Sequence, residues 1–190
     1  MARCSNAFIM AGLLLGGCSA GQRPVSPDQA SGAQRVYTPW GPQRLDNFSA
    51  RILELHNVER RAAGVGPLVW DPQLVKAAYS YASSLARIGR LEHSSIASRP
   101  GQGENLWMGT NGAYSLEQMV GSWSGEKSLF KPGIFPDIAR NGNWTQVGHY
   151  TQMIWPETTA VGCALHKVPG GDYLVCRYSP AGNVQGQRIP

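Results

Sequence analysis

Long basic runs are missing from this 190-residue chain: nothing exceeds the Arg60-Arg61 pair, although the formal charge is +5. Nucleic-acid binding calls for a concentrated cationic patch or an aromatic RNA-binding motif. The sequence has neither, so no nucleic-acid partner is expected. Charge of either sign is sparse, at 15% of residues. The apolar run Phe8–Leu15 (FIMAGLLL) is too short to span a membrane. No H-E-x-x-H metal motif occurs. The tempting Gly121–Gly125 (GSWSG) puts Trp123 where a hydrolase elbow needs serine, so it names no nucleophile. A G-x-G inside Gly101–Leu106 (GQGENL) lacks the strand–glycine–helix setting of a nucleotide loop. Cysteine is scarce too, with four in all.

Those cysteines are informative by position. Arg3, the apolar run and Leu15-Gly16-Gly17-Cys18 look like a bacterial lipoprotein signal, in which residues 1–17 are removed and Cys18 is lipidated. The alternatives are an ordinary cleaved signal peptide and a short uncleaved anchor. Ser19 after the cysteine resembles the outer-membrane sorting class of Gram-negative bacteria. The expectation is an exported protein held through its lipid anchor on a membrane, the outer membrane, facing periplasm or surface. Loss of Arg3 takes the net charge from +5 to +4. With Cys4 removed and Cys18 lipidated, Cys163 and Cys176 remain, and an exported chain with two thiols points to one disulfide.

Residues 18–44 form the lipidated cysteine and a Gly/Gln/Ser/Pro-rich flexible tether. The domain spans 45–190. Leu45, Phe48, Ile52 and Leu55 predict a helix over Leu45–Ala63, containing His56, Asn57 and Arg60. Asp71-Pro72 is a strong helix start, and Gly89 fits that helix's end, with His93 in the connection beyond. Ser115-Leu116-Glu117-Gln118 is a capping box opening a third helix. Glu126 continues the apolar stripe of Met119 and Trp123, so it must be solvated, paired or ligating.

The carboxy-terminal third is rich in β-formers. Alternation in Gly148–Trp155 (GHYTQMIW) predicts a strand with His149, Thr151, Met153 and Trp155 on one face. His149 would stand at its entrance, reaching into a cleft. A hairpin turning at Pro169-Gly170 sets Val161 opposite Tyr178, Leu165 opposite Leu174 and Cys163 opposite Cys176, so the two cysteines are placed to bond. His56 reads as a core histidine and His166 as an exposed strand-end residue. Phe130–Trp144 reads as a loop, with Trp144 its candidate ligand contact.

Taken together, His56-Asn57 through Arg60, Gly103–Leu106 (GENL), GHYTQMIW, Val161–Cys163 and Cys176–Asn183 (CRYSPAGN) resemble the CAP superfamily of cysteine-rich secretory proteins, venom antigens and plant pathogenesis-related proteins. The likeness covers about 140 residues in the family's order. It implies an α+β fold, a three-layer α-β-α sandwich around a small antiparallel sheet. It also implies a cleft tetrad of His93, Glu104, Glu126 and His149. Two imidazoles, His93 and His149, are suited to a weakly held Zn²⁺ or other divalent ion. The expected role is binding of a lipid, glycan or protein ligand in that cleft, by a monomer. One alternative is a metal-dependent hydrolase or protease using Glu104 and Glu126; another is a structural envelope scaffold with no cleft ligand.

Overall fold

The computed structural model describes residues 46–190 in full and the backbone of two short strands, β1 (Arg35–Thr38) and β2 (Gly41–Arg44). The two strands pair antiparallel, Arg35 opposite Arg44. Part of the expected tether is therefore a ladder, carried by Val36, Tyr37 and Thr38, whose β propensity the surrounding Gly and Pro obscure. Cys18 and the signal segment lie outside the described residues.

Helix α1 (Asn47–Ala62) starts at Asp46, whose carboxylate caps the Ser49 N–H at 2.7 Å. Its buried face carries Ile52 and Leu53, but also His56, Asn57 and Arg60. Phe48 and Leu55 of the expected stripe only flank it. Three polar groups go inside because each has fixed partners. The Asn57 amide exchanges two hydrogen bonds with the Leu68 backbone, at 2.8 and 3.2 Å. Arg60 donates to the Met153, Trp155 and Thr158 carbonyls at 2.9–3.0 Å and to that of Gly66.

His56 is a core histidine, as expected. Its Nδ1 lies 2.8 Å from the Ile52 carbonyl, which can only accept, so Nε2 accepts the Tyr178 hydroxyl, also at 2.8 Å. Burial lowers its pKa from 6.5 to about 4, outweighing the Ile52 hydrogen bond that favours the proton. Between those values the unfolded chain holds the proton and the folded chain does not. The His56 contribution is thus complete above pH 6.5 and is lost as pH falls toward 4. The expected loss is about 3 kcal/mol, at about 1.36 kcal/mol per pKa unit. Urea unfolding from about pH 7.5 to about pH 4 checks it: His56→Gln should flatten the slope across that window, and an unchanged slope would refute the assignment.

The central sheet has the order β3 (Val69–Trp70), β6 (Ala160–Val168), β7 (Gly171–Ser179), β4 (Gly103–Gly109). The β6–β7 register is the expected one, and Cys163 and Cys176 form a buried disulfide with Cα atoms 4.1 Å apart. Alternation sends Val161, Cys163, Leu174 and Tyr178 into the larger core, with α1, α3 (Leu116–Ser124) and α4 (Gly148–Met153). Ala164, Tyr173 and Val175 face the other way, against Ala78, Ala82 and Leu85 of α2 (Pro72–Ile88). Helices on both faces make the α-β-α sandwich. Asp71, Pro72, the left-handed Gly89 and the Ser115–Gln118 capping box all act as the sequence predicts.

GHYTQMIW is not a strand. Gly148–Met153 is helical, with the Thr151 N–H on the Val147 carbonyl at 2.9 Å and Ile154 on Tyr150 at 3.1 Å. Every residue from Tyr150 to Trp155 is buried, so no polar side breaks the run and its period is unreadable. Residues 130–144 are no mere loop either. Phe130, Phe135 and Ile138 enter the core, and β5 (Gly133–Ile134) pairs with β8 (Arg188–Ile189). His166 is half-buried inside β6, its ring edge-on to Tyr79 at 5.8 Å. Among the described residues no helix is long and apolar enough to cross a membrane.

Candidate functional site

His93 leaves α2 through the Gly89 turn, and the Tyr81 hydroxyl steadies this connection by donating to the Glu92 carbonyl. Its Nδ1 lies 2.7 Å from Glu104 Oε1. Glu104 is the second residue of β4, opposite Arg177 on β7. Its side chain is fully buried and both oxygens are taken. Oε1 also accepts the Ser94 N–H at 3.0 Å, while Oε2 accepts the Ser94 hydroxyl at 2.8 Å and Arg177 at 2.9 Å. Burial opposes the charge, but the His93 and Ser94 hydrogen bonds and the Arg177 guanidinium outweigh it and hold the carboxyl below its ordinary pKa. Its stabilising contribution is therefore lost only as pH falls through that lowered value.

Glu126 sits in the 3₁₀ turn Gly125–Ser128 that follows α3, not on the helix itself. Its Oε2 accepts the backbone N–H groups of His149 and Tyr150, both at 3.0 Å. Oε1 lies 2.6 Å from His149 Nδ1. One carboxylate thus caps the first turn of α4 from another element and also fixes the imidazole on it. Trp123 stacks under that ring, centroids 6.0 Å apart and planes 16° from parallel, and its indole N–H is held by the Leu106 carbonyl at 3.1 Å. Asn105 bridges the His149 carbonyl and the Tyr178 hydroxyl, at 3.0 and 3.1 Å.

His93, Glu104 and His149 line one cavity of about 540 Å³; Glu126 stands behind His149. Each imidazole spends Nδ1 on a carboxylate, leaving Nε2 with no hydrogen-bond partner among the described residues. Trp144 lines the cavity as well, 39% exposed and braced edge-on by Phe135 at 5.0 Å. Its ring lies over Gly148, where a Cβ would come within 3.4 Å. Asn183, in the left-handed region at φ 57°, holds the same glycine by donating to the Gly148 carbonyl at 2.9 Å.

The comparisons with known proteins bear on this arrangement. The profile of the family described as CAP, cysteine-rich secretory protein family, matches residues 53–178. The chain belongs to the CAP family. Pathogenesis-related protein 1A of Nicotiana tabacum is 36% identical over 146 residues, covering 76% of this chain and 82% of the relative. Pathogenesis-related protein PR-1 of Medicago truncatula is 34% identical, covering 75% and 79%. Among solved structures, NaASP2 with Zn²⁺ superposes with a TM-score of 0.64 at 28% identity, over 74% of this chain and 83% of that one. An outer surface protein of Borrelia burgdorferi shares the fold at 15% identity, with a TM-score of 0.50 over 79% and 99%.

In this CAP domain the four expected residues gather as two histidine–glutamate pairs. Sequence reasoning missed Ser94, Arg99 and Arg177, which surround Glu104. Ser94 had only its place beside His93 to mark it. Arg177 was detectable through strand pairing, but the β4 partner strand had not been predicted. The disulfide is in place; Cys18 lies outside the described residues.

Proposed function

We propose that this CAP domain is an exported ligand-binding module, tethered to a membrane through Cys18, that takes a small ligand between His93 and His149. The observation that supports this best is the contrast within the tetrad. Both oxygens of each carboxylate are engaged by protein donors, while the imidazoles present bare Nε2 atoms on rings that line the cavity. A general base needs an oxygen free to take a proton. Glu104 has spent both of its oxygens and Glu126 stands behind His149, outside the cavity lining, which favours binding over hydrolysis.

The same contrast fits a divalent ion. Metal-ligating histidines place their other nitrogen on a carboxylate, which sets the tautomer and strengthens the ligand. His93 and His149 would hold the ion, with Glu104 and Glu126 behind them. Among the described residues no cluster of three or more His, Cys, Asp or Glu side chains is suited to a metal. Two imidazoles leave most of the coordination shell to water or ligand, hence weak and reversible binding. When bound, the ion would supply a Lewis-acidic anchor for a ligand oxygen.

Calorimetric titration of Zn²⁺ into the full chain in detergent checks this. Micromolar or tighter binding is expected for the wild type, weakened at least about tenfold in His93→Ala/His149→Ala. Equal heats from both would overturn the metal and turn attention to a purely hydrogen-bonding cleft.

A further inference from the structure

Beside the histidines the cavity wall carries a cation, Arg99, whose nearest carboxylate among the described residues is already held by a second guanidinium. Arg99 lines the cavity, with its side chain only 17% exposed. Two backbone carbonyls pin it: Nε donates to Ser94 at 3.3 Å and Nη1 to Gln102 at 2.6 Å. Nη2 has no partner among the described residues. The nearest acid is Glu104, 4.0 Å from Nε, and Arg177 already holds that carboxylate at 2.9 Å. Glu92, along the same connection, is paired with Arg90 at 2.7 Å. Two guanidiniums therefore share one carboxylate. Burial lowers the Arg177 pKa, with Glu104 opposing and the charge of Arg99 adding to the drop. A cation largely withdrawn from water that only shares a counter-charge is costly, and a bound anion relieves that cost.

Two further features of the wall narrow the ligand. Gln102 Oε1 is buried and accepts no hydrogen bond, and Gln102 lines the same cavity. A ligand hydroxyl would satisfy it. The exposed ring of Trp144 offers a flat apolar face, the surface on which the C–H face of a sugar ring packs. A volume of about 540 Å³ suits a small molecule.

We propose that Arg99 makes this cleft selective for an acidic sugar, pairing with its carboxylate or phosphate while Gln102 accepts a hydroxyl and Trp144 carries the ring. The inference rests on reading the cavity as a ligand cleft and adds the class of ligand. A guanidinium with a free N–H edge is matched to an oxyanion.

Three probes share one ring and differ in charge: N-acetylglucosamine, N-acetylmuramic acid and N-acetylglucosamine 6-phosphate. Affinities come from chemical-shift titration of the full chain in detergent, with and without Zn²⁺. The wild type is expected to bind at least one acidic probe about tenfold or more tightly than the neutral one. Which acid wins tells carboxylate from phosphate. Arg99→Gln should bring that acid down to the level of the neutral sugar. Arg99→Lys, which keeps the charge, should retain part of the preference. Equal affinities in the wild type, a preference surviving in Arg99→Gln, or no binding of any probe would each overturn the proposal. The zinc titration is separate: histidine-dependent zinc binding without acid preference would sink Arg99 selectivity and leave the metal cleft standing.

Discussion

Arg60→Met is expected to destabilise the domain by about 4 kcal/mol, lowering its melting temperature by about 12 °C. The Arg60 side chain is among the largest fully buried ones, and no carboxylate among the described residues pairs with it. Burial lowers its pKa to about 10, so it stays charged at neutral pH. Its charge is solvated by the carbonyls of Gly66, Met153, Trp155 and Thr158, and Met153 ends α4, where the helix dipole is negative. Methionine fills the space but strips the Gly66, Met153 and Thr158 carbonyls of their donor, while that of Trp155 keeps the Thr158 N–H at 3.2 Å, and each buried unsatisfied group costs about 1–3 kcal/mol. Partial relaxation brings the sum down to the figure above. Arg60→Lys keeps the charge but cannot serve all of these acceptors as a planar fork does, so an intermediate loss is expected. Thermal melts of the three proteins would decide; a methionine variant within about 3 °C of wild type would show that the carbonyls find other donors.

Gly162→Ala is expected to cost about 3 kcal/mol, the upper end for an overpacked core. Gly162 lies in β6 on the face that receives α2, and an added Cβ would meet Val75 N at 2.4 Å, Asp71 O at 2.6 Å and Leu74 C at 2.7 Å. All three are backbone atoms at the start of the helix, so no side chain can swing aside. Either α2 lifts from the sheet or β6 bends. Gly121→Ala in α3 is the control: nothing lies within 4 Å of its added methyl. Replacing a mid-helix glycine there should stabilise by about 0.5–1 kcal/mol. Urea unfolding midpoints moving in opposite directions would confirm both; a neutral Gly162→Ala would mean the helix slides freely on the strand.

Short-range chemistry was legible wherever one residue type decides the local backbone. Asp71-Pro72, Gly89, the Ser115 capping box and the β6–β7 register each follow from an N-cap, a left-handed C-cap, a reciprocal hydrogen bond or a turn. The resemblance supplied the four cleft residues. What escaped was set by burial and long-range partners. GHYTQMIW carries β-formers but winds into a helix, whose first turn is capped by Glu126 from 23 residues away. The α1 face looks polar at His56, Asn57 and Arg60 because their partners arrive from Leu68, Trp155 and Tyr178. Residues 130–144 read as a loop because Gly and Pro outnumber the buried anchors Phe130, Phe135 and Ile138.

The doubled duty of Glu126 bears on how such a domain diverges. A lineage that abandoned its ligand would still need an acid there to keep the His149–Tyr150 turn wound. Retention of the histidine–glutamate set in a relative therefore speaks for folding before it speaks for activity. A shift of role should be written first in residues that wall the cavity without bracing the frame, and Gln102 and Trp144 are where such drift would show.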